Sequence, residues 1–388
     1  MRALPLAPEA ETEGVAASSS PPKSAARETK RRSPAWMSQV RRAVTTLAEL
    51  ETRLSLTDEE REGALRAEQA GLPLSITPYY LSLADPKDPS CPIRKQCVPT
   101  LAEAYETPGD LVDPLGEEDH AITPHLVRRY PDRVLLIATD RCSVYCRFCT
   151  RSRMVGAGGG VRSLDHLASS LAYIAANPDI RDVIVSGGDP LVMTTERIAS
   201  LLSRIREIPH VDTIRLATRT PVTLPHRITA ELVRSLKRFH PVWVMTHFNH
   251  PKELTPLSRR ACERLADAGF PVMNQTVLLR GINDDPATLE ALFRGLVRSR
   301  VRPYYLLQAD PVKGTGHLRT PIATGIAILE RLQGRLSGIA LPKLIVDTPG
   351  GMGKVPVGPD WIVRREPGRT VLRTHRGVEV TYLDPVRG

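Results

Sequence analysis

From residue 134 onward the chain alternates short apolar runs with segments of helical period, and this alternation restricts the fold more than any other feature. The runs cover 134–138, 183–186, 214–217, 242–246, 272–278 and 304–308. Segments with apolar residues at 3.6-residue spacing follow them at 163–176, 195–207, 229–239, 256–268, 286–299 and 322–336. Six successive strand-helix units predict a parallel sheet, either doubly wound or curling toward a barrel. Chemistry-bearing residues decide between these. Asp140 and three cysteines follow the first run, Gly187-Gly188-Asp189 the second, Arg219 the third, His247 to His250 the fourth and Asp310 the sixth. Reactive residues at nearly every strand end indicate a βα barrel, because a doubly wound sheet gathers them at one switch point. The expectation is a partial (β/α)6 TIM-like barrel in an α/β chain.

The flanks read differently. Residues 1–33 are rich in Ala, Ser, Pro and Glu, end in Lys30-Arg31-Arg32, and predict a disordered tail. Val40, Val44, Leu47 and Leu50 then recur at helical spacing, and Thr57 stands as an N-cap before acidic Asp58, Glu59 and Glu60. An N-terminal helical and Pro-rich region thus spans 34–125, ahead of the barrel at 126–338. A seventh apolar run at 344–346 leads into Gly350-Gly351-Met352-Gly353-Lys354 within a C-terminal segment, 339–388, whose end at 361–363, 371–373 and 378–382 reads as β-rich.

The 388 residues carry 53 Lys plus Arg against 43 Asp plus Glu, a net charge of +10. That surplus suits a nucleic-acid surface or a site crowded with carboxylates and phosphates. Aromatic residues make up only 4%, too few for stacking on bases, so no nucleic-acid partner is expected. No run approaches a membrane span and no signal-peptide stretch opens the chain, which points to a cytoplasmic protein without a membrane partner. Six cysteines are too few for a disulfide scaffold. Three of them, Cys142, Cys146 and Cys149, offer thiolates within eight residues, while Cys91, Cys97 and Cys262 form no second pair nearby and are expected as free thiols. Zinc normally takes four closed ligands. Three cysteines suit a 4Fe-4S cluster with one iron open, and Arg147, Arg151 and Arg153 lie around them in sequence. The glycine run before Lys354 fails the phosphate-loop pattern, since Thr348 replaces the first glycine and Val355 follows the lysine.

The stretch Asp140-Arg141-Cys142-Ser143-Val144-Tyr145-Cys146-Arg147-Phe148-Cys149-Thr150-Arg151 resembles the cluster loop of radical S-adenosylmethionine enzymes, and of the lysine 2,3-aminomutase family in particular. Tyr79-Tyr80-Leu81-Ser82-Leu83, Arg129-Tyr130-Pro131-Asp132-Arg133, Ser186-Gly187-Gly188-Asp189, Thr246-His247-Phe248-Asn249-His250-Pro251, Arg302-Pro303-Tyr304-Tyr305 and Pro349-Gly350-Gly351-Met352-Gly353-Lys354 extend the likeness from about Trp36 to the C-terminus.

The resemblance implies a radical-type partial barrel, a [4Fe-4S] cluster on Cys142, Cys146 and Cys149, and S-adenosylmethionine bound at its open iron with Ser186, Gly187, Gly188 and Asp189 receiving the amino group. It implies pyridoxal 5'-phosphate on Lys354, steadied by Arg129, Tyr130 and Arg133. The implied reaction is a radical 1,2-amino migration, in which a 5'-deoxyadenosyl radical acts on the substrate joined to pyridoxal phosphate as an aldimine. A one-electron donor such as flavodoxin or ferredoxin is implied as a partner. Arg151 matches the arginine that binds the substrate carboxylate, and Asp310 and Asp347 match the aspartates that grip the lysine ε-ammonium. Two carboxylates in a buried pocket favour a bridging cation, which disfavours glutamate as substrate; conversion of L-lysine to β-lysine is the leading expectation, an aminomutase for arginine or another basic amino acid the alternative, with Lys313 a charge able to alter the pocket. An RNA-modifying radical enzyme is the alternative from another class, and it has no use for Lys354, Asp310 and Asp347. Some family members bind structural zinc through a cysteine-rich tail and a further cysteine. Here Asp285 takes that cysteine's place and no such tail appears, so a homo-oligomer is expected without the zinc link.

Overall fold

The computed structural model describes residues 34–156 and 160–385, so the predicted tail at 1–33 lies outside the described residues. Ten strands form one open sheet in strict chain order: β1 (Ala121–Thr123), β2 (Leu126–Tyr130), β3 (Arg133–Thr139), β4 (Asp182–Gly187), β5 (Thr213–Ala217), β6 (Val242–Thr246), β7 (Val272–Leu278), β8 (Arg302–Gln308), β9 (Lys343–Thr348) and β10 (Gly353–Val357). Strands β3 to β9 run parallel, and antiparallel β1–β2 and β10 extend the two edges. The six predicted runs are β3 to β8. The seventh, β9, joins the same sheet beside β8 through Leu306↔Leu344 and carries the glycine hairpin to β10.

Alternation along each strand builds the two faces. Leu136, Val183, Val185, Ile214, Leu216, Leu306 and Leu344 are at most 1% exposed and pack on the crossover helices. The intervening Leu135, Ile184, Arg215, Ala217, Gln275 and Tyr305 are half-buried and face a cavity on the other side. The crossover helices start where the sequence supplies a cap. Thr194, Thr229, Thr255 and Asp285 each accept a hydrogen bond from the backbone N–H three residues on. Asp285 thus opens the helix Pro286–Arg298.

The N-terminal region departs from its periodicity. A single helix through Val40 and Leu50 does not form. Ala35–Arg41 and Leu47–Glu51 are separate helices, because Thr46 and Glu49 close a capping box and Val44 bridges Ile76 in extended backbone. Thr57 caps Asp58–Gln69 as expected, again with a capping box to Glu60. After β10 the chain forms a three-stranded antiparallel sheet of β11 (Ile362–Glu366), β12 (Arg369–Arg373) and β13 (Glu379–Leu383). No helix among the described residues is long and apolar enough to cross a membrane.

One buried ion pair fastens the helical region. Arg94, fully buried, meets Glu60 at 2.5 and 2.6 Å and donates to the Ser55 carbonyl at 2.7 Å. Glu60→Ala leaves that guanidinium uncompensated and is expected to cost about 3–5 kcal/mol in urea-induced unfolding. A loss under about 1 kcal/mol, the size typical of an exposed pair, would show that water reaches Arg94.

Candidate active site

A cavity of about 590 Å³ lies against one face of the sheet and extends from Arg133 and Asp182, at the starts of β3 and β4, to the loops after the C-terminal ends of the parallel strands. Every residue given a site role from the sequence lines it: Cys142, Cys146 and Cys149, Arg129, Tyr130 and Arg133, Ser186 to Asp189, Arg151, Asp310, Asp347 and Lys354.

The cysteine loop leaves β3 and is clamped from three sides. Tyr145 N–H donates to the Ser75 carbonyl at 2.8 Å, Arg147 N–H to the Gln96 carbonyl at 2.9 Å, and the Ser143 and Thr223 hydroxyls meet at 2.7 Å. The end of β4 presses against the loop's start, with Gly188 N–H on the Thr139 carbonyl at 2.6 Å and Asp189 N–H on the Arg141 carbonyl at 2.8 Å. A Cβ on Gly188 would lie 2.3 Å from the Arg141 carbonyl oxygen, so glycine is needed for this contact. The three thiols line the cavity wall. Burial pushes the Cys149 thiol up to about 11 and the Cys142 thiol well above its ordinary value, so a metal must displace their protons to hold them as thiolates. No three His, Cys, Asp or Glu side chains among the described residues converge on one ion. A cubane needs no such convergence, since each cysteine meets its own iron corner, and the donor set therefore fits the cluster.

The arginines near the thiols in sequence turn elsewhere. Arg147 is buried against Glu103, Arg153 pairs with Asp113 at 3.0 Å and Glu118 at 3.1 Å, and Arg151 holds Glu117 at 2.7 and 3.0 Å. Among the described residues, the guanidinium that meets one of the three thiols is Arg219, whose Nη1 donates to Cys146 Sγ at 2.8 Å. Its place after β5 was visible in the sequence. Its partner was not, since nothing local points from one strand end to another.

Across the cavity, the β9–β10 register places Lys354 opposite Asp347, and the Lys354 ammonium pairs with that carboxylate. Arg129 Nη2 donates to the other Asp347 oxygen at 2.7 Å and its Nε to the Gly351 carbonyl at 3.2 Å. Burial alone would raise Asp347, but Lys354 and Arg129 outweigh it and hold the carboxyl below its ordinary range. Tyr130 accepts the Lys354 backbone N–H at 2.9 Å, and Arg133 stacks 3.8 Å above the Tyr130 ring while pairing with Asp132. Gly351, at φ +77°, packs where a Cβ would lie 2.6 Å from the Leu115 carbonyl oxygen. The glycine hairpin is thereby locked to the loop that carries Glu117, a residue no sequence signal singled out.

Asp310 differs from its neighbours. Its side chain has no hydrogen-bond or ion-pair partner among the described residues, and burial together with the facing Asp347 pushes it up to about 7. Asp189, by contrast, is saturated: it accepts from Thr218 Oγ1 at 2.6 Å, Arg219 N–H at 2.8 Å and Leu191 N–H at 3.0 Å, which ties β4 to β5. Lys313 stays out of the pocket and pairs with Glu106 at 2.6 Å on the surface. Burial and the nearby Arg219, Arg151 and Lys354 push His247 in the cavity wall down to about 4, keeping it neutral. Cys91, Cys97 and Cys262 are buried free thiols.

An open parallel barrel with three cysteines after its first parallel strand defines a radical S-adenosylmethionine enzyme, and residues 136–292 match the Radical SAM superfamily. Residues 329–387 match the Lysine-2,3-aminomutase family model. The chain is 48% identical over 350 residues to the L-lysine 2,3-aminomutase of Fusobacterium nucleatum, covering 90% of this chain and 82% of that one. It is 48% identical to the L-lysine 2,3-aminomutase of Clostridium subterminale, covering 90% and 84%. It is 43% identical to the glutamate 2,3-aminomutase of Clostridioides difficile, covering 89% and 82%. The chain belongs to the lysine 2,3-aminomutase family. Membership makes it an isomerase that uses a [4Fe-4S] cluster, S-adenosylmethionine and pyridoxal 5'-phosphate.

Gly188→Ala must force strand end and cysteine loop apart, an overpacking that costs about 1–3 kcal/mol. It is expected to lower the iron retained after anaerobic reconstitution while far-UV circular dichroism stays unchanged. A full iron complement in the variant would show that the contact does not shape the loop.

Proposed function

We propose that this chain converts L-lysine to β-lysine. The observation that carries this is Asp310, a carboxylate facing Asp347 across the cavity, without a partner and raised to about 7. An ammonium entering between the two carboxylates offsets the burial, and with it the repulsion from Asp347, that hold Asp310 up. A glutamate side chain would add a third negative charge at the same place, which separates this reading from the glutamate-acting relative. A guanidinium is the one other common side-chain cation able to bridge the pair, and arginine is the second substrate to compare.

In this reading Cys142, Cys146 and Cys149 hold the cluster, and Ser186, Gly187 and Gly188 border the space for S-adenosylmethionine. Lys354 carries pyridoxal phosphate, with Arg129, Tyr130 and Arg133 beside it. When bound, these groups supply a 5'-deoxyadenosyl radical that removes hydrogen and a π system that stabilises the carbon radical while nitrogen migrates. The chain's residues bind and orient. Arg151 gives its Nε and Nη2 to Glu117, and its Nη1, 3.3 Å from Ser186 Oγ, remains for the substrate carboxylate. Asp347 exchanges the Lys354 ammonium for that of the substrate, charge for charge. Asp189 holds the β4 and β5 ends in place without touching substrate. Flavodoxin or ferredoxin supplies the electron, and the assembly is a homo-oligomer.

Asp310 sets a pH dependence. Lysine binds the ionised form, so its KM is flat above pH 7 and rises as pH falls through about 7, approaching tenfold per unit. Asp310→Asn is expected to raise KM about 10–100-fold, the worth of one charge-assisted hydrogen bond, and to flatten the profile between pH 6 and 8. A variant profile that keeps the wild-type slope would assign the dependence to another group.

A further inference from the structure

The motifs around Tyr80 and Asn249 lie apart from lysine, S-adenosylmethionine and pyridoxal phosphate in the reading above, yet both converge on Cys146. The convergence runs through Arg219. Its Nη1 donates to Cys146 Sγ at 2.8 Å, while its Nη2 meets Glu253 Oε1 at 2.7 Å, Gln96 Oε1 at 2.5 Å and Tyr80 Oη at 3.0 Å, and its Nε donates to the His247 carbonyl at 3.2 Å. The side chain is only 10% exposed, and the Phe148 and Tyr80 rings lie 5.3 Å from its Cζ. Glu253 has no exposure at all and is itself fixed, accepting from Asn249 N–H at 2.6 Å, His250 N–H at 3.0 Å and Tyr80 Oη at 2.8 Å. Asn249 closes the circuit by donating to Gln96 Oε1 at 3.0 Å, and the Gln96 carbonyl accepts the N–H of Arg147 in the cysteine loop.

Such an arrangement exceeds what folding requires. A buried guanidinium needs one carboxylate, and Glu253 supplies it. The remaining contacts fix the Nη1 edge toward a single sulfur. A cysteine sulfur on a cluster gains electron density when the cluster is reduced, and a hydrogen bond from a cation favours that state. The geometry points to Arg219 as the residue that sets the cluster's reduction potential, with Glu253, Gln96, Tyr80 and Asn249 holding it in place. The inference rests on the cluster reading of Cys142, Cys146 and Cys149 and adds to it how the electron enters.

The test is a redox titration of the reconstituted full chain without S-adenosylmethionine, read from the electron paramagnetic resonance signal of the reduced cluster, with iron and sulfide measured on each sample. Arg219→Gln removes the charge and is expected to lower the reduced-to-oxidised ratio at fixed potential about tenfold, a negative shift of ~59 mV for one electron. Arg219→Lys keeps the charge and is expected to recover most of that shift. A potential unchanged in Arg219→Gln at full iron content would overturn the inference. So would a failure of both variants to retain iron, which would make Arg219 an assembly residue. Absence of iron in the wild type would instead refute the cluster reading itself, so the two failures are distinguishable.

Discussion

Burying this many ionised groups in one cavity is possible only if each finds a partner, and the architecture follows from how that requirement is met. Taking a carboxylate or guanidinium out of water costs several kcal/mol, which an opposite charge offsets only at hydrogen-bond distance and with the remaining polar atoms also satisfied. Arg151 is met by Glu117, Arg129 and Lys354 by Asp347, and Arg219 by Glu253. These partners come from different strand ends and loops, so the pairings also bind the rim of the open sheet together. Asp310 is the exception. In a cavity where the neighbouring charges are matched, this unmatched carboxylate is what the proposed lysine site rests on.

The same pairings join the cavity's two chemical ends. The cysteine loop lies against the end of β4 through the backbone N–H groups of Gly188 and Asp189, and Arg151 from its far end holds Glu117. The loop carrying Glu117 receives Gly351 from the hairpin that presents Lys354. A continuous line of contacts thus runs from the three cysteines to Lys354, which suits a reaction whose radical must reach a substrate held at a fixed place.

Much of this was legible in the sequence where local rules govern it. The strands at β3 to β8 and the helices between them follow period and caps, and residues at their C-terminal ends fall on one cavity because a parallel sheet puts them there. The cysteines stood out by chemistry and spacing, and Lys354 through the resemblance that implies pyridoxal phosphate on it. The split of the first helix at Val44 was hidden because its cause, the bridge to Ile76, lies far along the chain. Glu117 was hidden for the same reason, as one acid in a loop whose meaning depends on Arg151. Arg147 and Arg153 lie close to the thiols in sequence but turn toward Glu103, Asp113 and Glu118, whereas Arg219 reaches Cys146 from another strand. Charge partners across a fold leave no periodic trace.

In the proposed function the Asp310 and Asp347 carboxylates select a substrate with a distal cation. Anaerobic turnover of an equimolar mixture of lysine, arginine and glutamate, with dithionite and all three cofactors, tests it most directly when α- and β-isomers are resolved by mass and retention. The account predicts β-lysine as the dominant product and no β-glutamate. Accumulation of β-glutamate at a rate matching or exceeding that of β-lysine would contradict it.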